Sequence, residues 1–305
     1  MKIQNTIYLL VCLFSLSLNA NYFDEPETIL DDTYDTTETF IYSTADYLDT
    51  SFSGEDYDIE SQDLTKADIS YESIFEKGQD SIQNSNIKIR LLFPRFRKQY
   101  KITFENYNKS KSIDETNEND SYLLGIGKDK ARVGLKFRGI NPDPFISYNL
   151  EYKTYLANNL DFHIGNRAMY FADYKFDNTF SINFKKQIND HLIVSFNNSY
   201  RFQEEYNNKY ELVNTINLSQ DLGQKRSLNY TISSYATKDD IINQDLEVDY
   251  YYTGGSLKEY FYKNWAYYNI DAGLIFRDEN SFEAKGRLLF RIGALFGNAK
   301  PKFNN

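Results

Sequence analysis

Sulfur and imidazole are almost missing from this chain: its 305 residues hold one cysteine, two methionines and two histidines. The cysteine, Cys12, lies in an apolar run near the start, so the rest of the chain can form no disulfide and must be stabilised by packing and hydrogen bonding. Thiolate metal sites are thereby excluded, and two imidazoles are too few for a transition-metal centre. Asp31-Asp32 and Glu55-Asp56 lack EF-hand spacing, and Gly125-Ile126-Gly127-Lys128 lacks the frame of a P-loop. No metal or other cofactor is expected. Long apolar runs are scarce too. After residue 20 nothing approaches the roughly 20 residues of a spanning helix, and mean hydropathy is −0.62. A helical membrane protein is excluded; a β-barrel is not, because alternate residues of a barrel face water and dilute the average. The excess of 44 acidic over 34 basic residues argues against nucleic acid as a partner.

What the chain has in quantity is aromatic residues, 27 Tyr and 23 Phe, set in alternating runs. The clearest run is near the end. From Phe282 to Phe296 every even position is apolar or small, while the odd positions carry Glu283, Lys285, Arg287 and Arg291. A strand turns successive side chains to opposite faces, so this segment has one greasy and one charged face. Eleven similar runs precede it: 87–93, 100–107, 131–138, 145–155, 160–172, 179–186, 191–202, 210–218, 226–236, 246–253 and 265–276. Two weaker candidates, 68–75 and 122–127, raise the total from twelve to fourteen. Fourteen places the long polar link 108–120 outside the cell, where long barrel loops belong, and the short links at the periplasmic rim. Spacers such as Asn141-Pro142-Asp143-Pro144 and Gly254-Gly255 read as turns. A secreted sandwich also fits alternation. Strands of spanning length with a polar second face favour an all-β fold: a single transmembrane antiparallel β-barrel of 12–14 strands. Tyr148, Tyr152, Tyr155, Tyr170, Tyr200, Tyr235, Tyr250, Tyr252, Trp265, Tyr268 and Phe276 are expected in interfacial girdles.

Four regions follow. Residues 1–20 read as a cleaved signal peptide: Lys2, the apolar core Ile7–Leu18, then Leu18-Asn19-Ala20. Residues 21–67 form an acidic, largely disordered periplasmic segment; 21–85 hold 18 acidic residues against Lys66 and Lys77 alone. Within it, Phe40, Ile41, Ala45 and Leu48 suit a turn or two of amphipathic helix, and the charge contrast with the barrel suggests a docking or plug segment. Residues 68–297 are the barrel and 298–305 a tail. The expected location is the cell outer membrane, reached after secretion across the inner membrane, with outer-membrane lipid, the barrel-insertion machinery and small solutes as partners.

The terminal strand Arg287–Gly297 resembles the last strand of a family of uncharacterised Gram-negative outer-membrane barrels. Phe93-Pro94-Arg95, Gly139-Ile140-Asn141-Pro142 and Tyr267-Tyr268-Asn269-Ile270 resemble its other recurrent stretches. The resemblance covers about 86–297 and implies fold and location rather than an activity. Barrels of this kind usually end on an aromatic residue. Here the chain continues past Phe296, so Phe296 or Phe303 has to serve as that signal.

No nucleophile–base constellation is visible, so no enzyme is expected; a hydrolase built on His163 is the remote alternative. On the polar parity lie Lys88, Arg90, Lys101, Arg132, Lys136, Arg138 and His163, with Arg287 and Arg291 in the last strand. Closing a barrel brings its first and last strands together, so these residues are expected to line the pore with one basic wall, and walls of Arg and Lys favour anions. Two functions fit: a passive pore for small hydrophilic, perhaps anionic, solutes, or a non-conducting structural, adhesion or docking barrel with the acidic segment as plug or partner surface.

Overall fold

A sheet with one apolar and one polar face has to separate two environments, and closure removes its unpaired edges. The computed structural model of the protein does this. It describes residues 29–53, 66–93, 100–107, 121–128, 130–138, 141–157, 160–172, 175–204, 208–223, 225–239 and 243–297; the signal-peptide reading and the tail 298–305 lie outside them. A helix, α1 (Ile29–Ser53), precedes fourteen strands. These are β1 (Lys66–Glu76), β2 (Ile82–Phe93), β3 (Tyr100–Asn106), β4 (Ser121–Lys128), β5 (Ala131–Arg138), β6 (Asn141–Ala157) and β7 (Leu160–Phe171). They continue as β8 (Lys175–Asn189), β9 (Leu192–Gln203), β10 (Lys209–Gly223), β11 (Arg226–Asp239), β12 (Asn243–Tyr262), β13 (Ala266–Arg277) and β14 (Ala284–Gly297). Each strand pairs antiparallel with its chain neighbours, and β1 pairs with β14, so the barrel is closed. The two weakest sequence matches, β1 and β4, are both real strands.

The even positions of β14 face outward, as the alternation predicts. Val133, Ile146, Tyr152, Ile216, Ile232, Leu274 and Leu288 also project outward and are exposed. An apolar belt around a whole barrel far exceeds the few hundred Å² a water-soluble surface tolerates, so hydrocarbon is its solvent. Two aromatic tiers bound it on one side of the barrel. Phe162, Phe184 and Phe196 form one, with centroids 5.0 and 6.5 Å apart. Phe176, Phe202 and Tyr210 form the other, at 6.3 and 5.0 Å.

Three local expectations are corrected. Gly254 and Gly255 are not a turn but the middle of β12. The Tyr230 ring would lie 3.5 Å from a Cβ at Gly255, the packing by which an aromatic side chain covers a strand glycine. Asn141–Pro144 is not a turn either. It opens β6 laddered to β5, and the Pro144 carbonyl faces the other way, accepting the Ala172 N–H at 2.9 Å beyond β7, so the missing proline N–H groups cost no β5 ladder bond. Tyr235, Tyr250 and Tyr252 are not in a girdle but in a buried cluster inside the barrel.

The largest difference is α1. The segment 21–67 was expected to be largely disordered, yet 29–53 is a 25-residue helix. Tyr34, Ile41 and Ala45, at spacings of seven and four, make one face, with Leu48 continuing it. That face packs on the outer wall across the closure of the barrel, against Ala67 of β1, Leu91 of β2 and Phe296 of β14. Tyr34 stacks between Trp265 at 4.4 Å and Phe296 at 4.8 Å. Its hydroxyl donates to Glu38 and to the Leu295 carbonyl, and burial, reinforced by Glu38, holds its pKa above the ordinary tyrosine range. Glu38 also accepts the Gly297 N–H at 3.0 Å, and Asp31 takes Tyr262 Oη at 2.5 Å and Lys263 Nζ at 2.6 Å. The helix carries no base to offset its acids in the last turn, and no described helix is long and apolar enough to cross a membrane. Phe40, grouped with Ile41 on sequence, points away and is 69 % exposed.

Candidate functional site: the barrel lumen

Inward parity places Lys88 and Arg90 on β2, Lys101 on β3, Arg132 and Lys136 on β5, His163 on β7, and Arg287 and Arg291 on β14 in one lumen. Arg138 pairs in register with Ser121 and Asn141; its side chain lies outside the described residues. The lumen divides into two levels.

Near the rim remote from α1, side chains fill the interior. Arg201 on β9 is 0 % exposed. It donates to Asp177 from Nε at 3.1 Å and from Nη2 at 2.6 Å, and to Tyr107 Oη at 3.2 Å. Tyr107 in turn donates to Asp177 at 2.8 Å. Tyr107 follows β3 while Asp177 is on β8, so this contact crosses the lumen. Lys136 lies over the Tyr107 and Phe171 rings at 4.4 and 4.8 Å. Phe145, Met169 and Leu123 complete the cluster. Glu211, 3.8 Å from Arg201, continues the layer and accepts the Tyr235 hydroxyl at 2.8 Å. In a site this dry, charges persist only when paired and hydrogen-bonded.

Towards the α1 rim the lumen opens. Three cavities of about 380, 270 and 430 Å³ share walls. Glu105 and Arg167 line the first two, and His163 lines the second and third. Charge along the lumen wall, from this level to the remote rim, is sorted by pairing. Arg132 reaches Glu105 at 2.8 Å by lying across β4, where a Cβ at Gly125 would sit 2.7 Å from its Cδ. Arg291 pairs with Glu72 at 2.5 Å and Arg277 with Glu76 at 2.7 Å. The acids of β1 thus stand between the basic residues of β2 and those of β14, and the expected continuous basic wall is interrupted. The interruption is electrostatically reasonable, since adjacent unpaired cations would repel at this spacing.

Among the described residues, Lys88, Arg90, Lys101 and Arg167 line the open level without a direct salt bridge, although Lys88 stands in register with Asp68 and Glu105. Arg167 was missed as a candidate, although its parity with His163 was legible. It stands in register between Asn149 and Thr179. Asn149 Oδ1, Thr179 Oγ1 and the nearby Ser147 Oγ are buried without a hydrogen-bond partner among the described residues. His163 Nδ1 lies 3.3 Å from the Asn183 amide, and Nε2 lies 3.9 Å from Glu151. On the acidic side, Glu151 has Lys153 at 3.2 Å, and Asp161 faces Lys185 in register.

The barrel has relatives in shape. It is similar to a bacterial polysaccharide outer membrane secretin at 10 % identity, covering 77 % of this chain and 99 % of that one, with a TM-score of 0.45. The outer membrane channel DcaP of Acinetobacter baumannii is similar at 7 % identity over 76 % and 96 %, with a TM-score of 0.44. The NanC porin is similar at 9 % over 75 % and 98 %, with a TM-score of 0.40. No family model and no curated protein matches the chain. The closed fourteen-stranded barrel itself is established by the strand pairing of this chain.

Proposed function

We propose that the protein is an outer-membrane β-barrel acting as a passive channel for small hydrophilic solutes, with a preference for anions. The observation that carries this reading is the open level of the lumen: polar cavities sharing walls, in which the cations outside a salt bridge, Lys88, Arg90, Lys101 and Arg167, outnumber the acids outside one, Asp68 and Asp161. Fixed cations in a narrow, low-dielectric lumen concentrate anions and exclude cations. The α1 rim is the periplasmic one, since its links 129–130, 158–159, 190–191, 224–225 and 263–265 are short, while the long link 108–120 belongs to the other rim. The Tyr107–Asp177–Arg201 layer is then the constriction on the extracellular side.

That buried layer also favours a second reading, a barrel closed to solute that serves structure or docking. Single-channel recording in planar bilayers separates the two. As a channel, the protein conducts, and Tyr107→Ala, which removes the group bridging the lumen, raises the conductance several-fold. If neither the wild type nor Tyr107→Ala conducts, the channel reading fails and the closed barrel stands.

A further inference from the structure

The outward wall is not uniformly apolar. Five consecutive strands place an asparagine or serine among outward apolar residues: Asn166 on β7, Asn178 on β8, Asn198 on β9, Asn214 on β10 and Ser234 on β11. Asn198 is opposite Asn214, and Asn214 is opposite Ser234. Asn198, Asn214 and Ser234 stand in direct register between the two aromatic tiers, whereas Asn178 is in register with Phe202 of one tier and Asn166 with Phe180. On β9, Asn198 falls between Phe196 and Phe202 and faces Ile182 of β8. Aromatic tiers mark the interfaces of a membrane, so Asn198, Asn214 and Ser234 sit at hydrocarbon depth. The wall across the barrel differs. The outward positions of β14, from Ala284 to Phe296, are all apolar or glycine.

Hydrocarbon supplies no hydrogen bonds, so a polar group at this depth needs protein for a partner. The row satisfies itself only in part. Asn166 and Asn178 exchange amide hydrogen bonds at 3.0 and 3.4 Å, and Asn214 donates to Ser234 at 3.2 Å. Each of these amides keeps a second N–H and spare acceptor capacity. Asn198, at the centre, has no side-chain hydrogen bond among the described residues.

We infer that this row is the contact surface between copies of the chain in the membrane. Amides donate and accept at once, so the row is complementary to itself. Copies inserted in the same orientation carry it at the same depth, which a different partner would have to match independently. A symmetric assembly about an axis normal to the membrane brings row to row and gives Asn198 the partner that lipid cannot. The acidic helix α1, packed over the β1–β14 closure on the far side, stays outside this contact.

The test is the detergent-corrected mass of the full-length protein by light scattering, with heat-modifiable gel migration confirming a folded barrel. Wild type is expected at two or more chains per particle, and Asn198→Leu combined with Asn214→Leu at one. Asn198→Trp, which removes the amide and blocks close approach, must also give single chains. A wild type of one chain, or folded variants that keep the wild-type mass, overturns the inference. Neither result depends on whether the barrel conducts.

Discussion

Replacing Tyr34 with alanine isolates the attachment of α1 to the barrel. The ring is 5 % exposed and sandwiched between Trp265 and Phe296, with its hydroxyl on Glu38 and the Leu295 carbonyl. Truncating a buried aromatic costs about 3–5 kcal/mol. Here that figure includes two ring contacts at about 0.5–1.5 kcal/mol each and hydrogen bonding at about 1 kcal/mol. Because the helix rests on the outer wall, the loss falls on docking rather than on the barrel ladder. At about 1.4 kcal/mol per tenfold, the docking equilibrium constant drops by roughly two to three decades. Limited proteolysis reads this directly: cuts within 29–53 accelerate by a comparable factor while the barrel keeps its heat-modifiable migration. The single tryptophan, Trp265, reports in parallel, because undocking exposes it to an aqueous quencher. Phe40→Ala, on the outward side of the helix, leaves both signals unchanged. Wild-type protection and quenching in Tyr34→Ala would refute the docking geometry.

Asp177→Ala leaves Arg201 buried and loses its bidentate partner. The expected cost is about 3–5 kcal/mol, read as a lower midpoint for heat modifiability, and an unshifted midpoint would mean that the layer is hydrated. The contact of Asp31 with Lys263 carries a pH signature. Hydrogen bonding to Asp31 raises the Lys263 pKa above the ordinary lysine value. A raised lysine pKa stabilises the docked state below its unfolded value, and that contribution is lost as pH rises through the docked value. Lys263→Met has no such proton to lose. Its Trp265 quenching must therefore lack the alkaline increase that wild type shows beyond the effects common to both proteins.

Much of the fold was legible because a half-lipid, half-water strand leaves no freedom in its alternation: Phe282–Phe296 names its own faces. The strand total followed from the parity of the long link 108–120, which only fourteen strands place on the long-loop rim. What sequence could not reveal were features set by register between distant strands. Tyr235, Tyr250 and Tyr252 are strong strand formers on either face. Tyr235 follows the inward parity of β11, and only the shift in the β11–β12 pairing, which leaves Asp249 as an extra residue, turns Tyr250 and Tyr252 inward. The acidic bias around 29–53 hid a helix whose stability comes from the wall beneath it, not from its own composition. The basic wall was overdrawn because β1, a weak match, was not read for its acids, and Glu72 and Glu76 there meet arginines of β14 and β13. Arg167 was visible by parity, but its lack of an ion pair emerges only when every neighbour is placed.

The central claim is that unpaired cations of the open lumen set what passes. Its most direct test is the reversal potential of the purified protein in a planar bilayer under a potassium chloride gradient. The account predicts an anion-selective sign for wild type and a shift towards cation selectivity for Arg167→Glu combined with Lys101→Glu. A cation-selective wild type, or a reversal potential unmoved by both substitutions in a conducting, folded barrel, would contradict it.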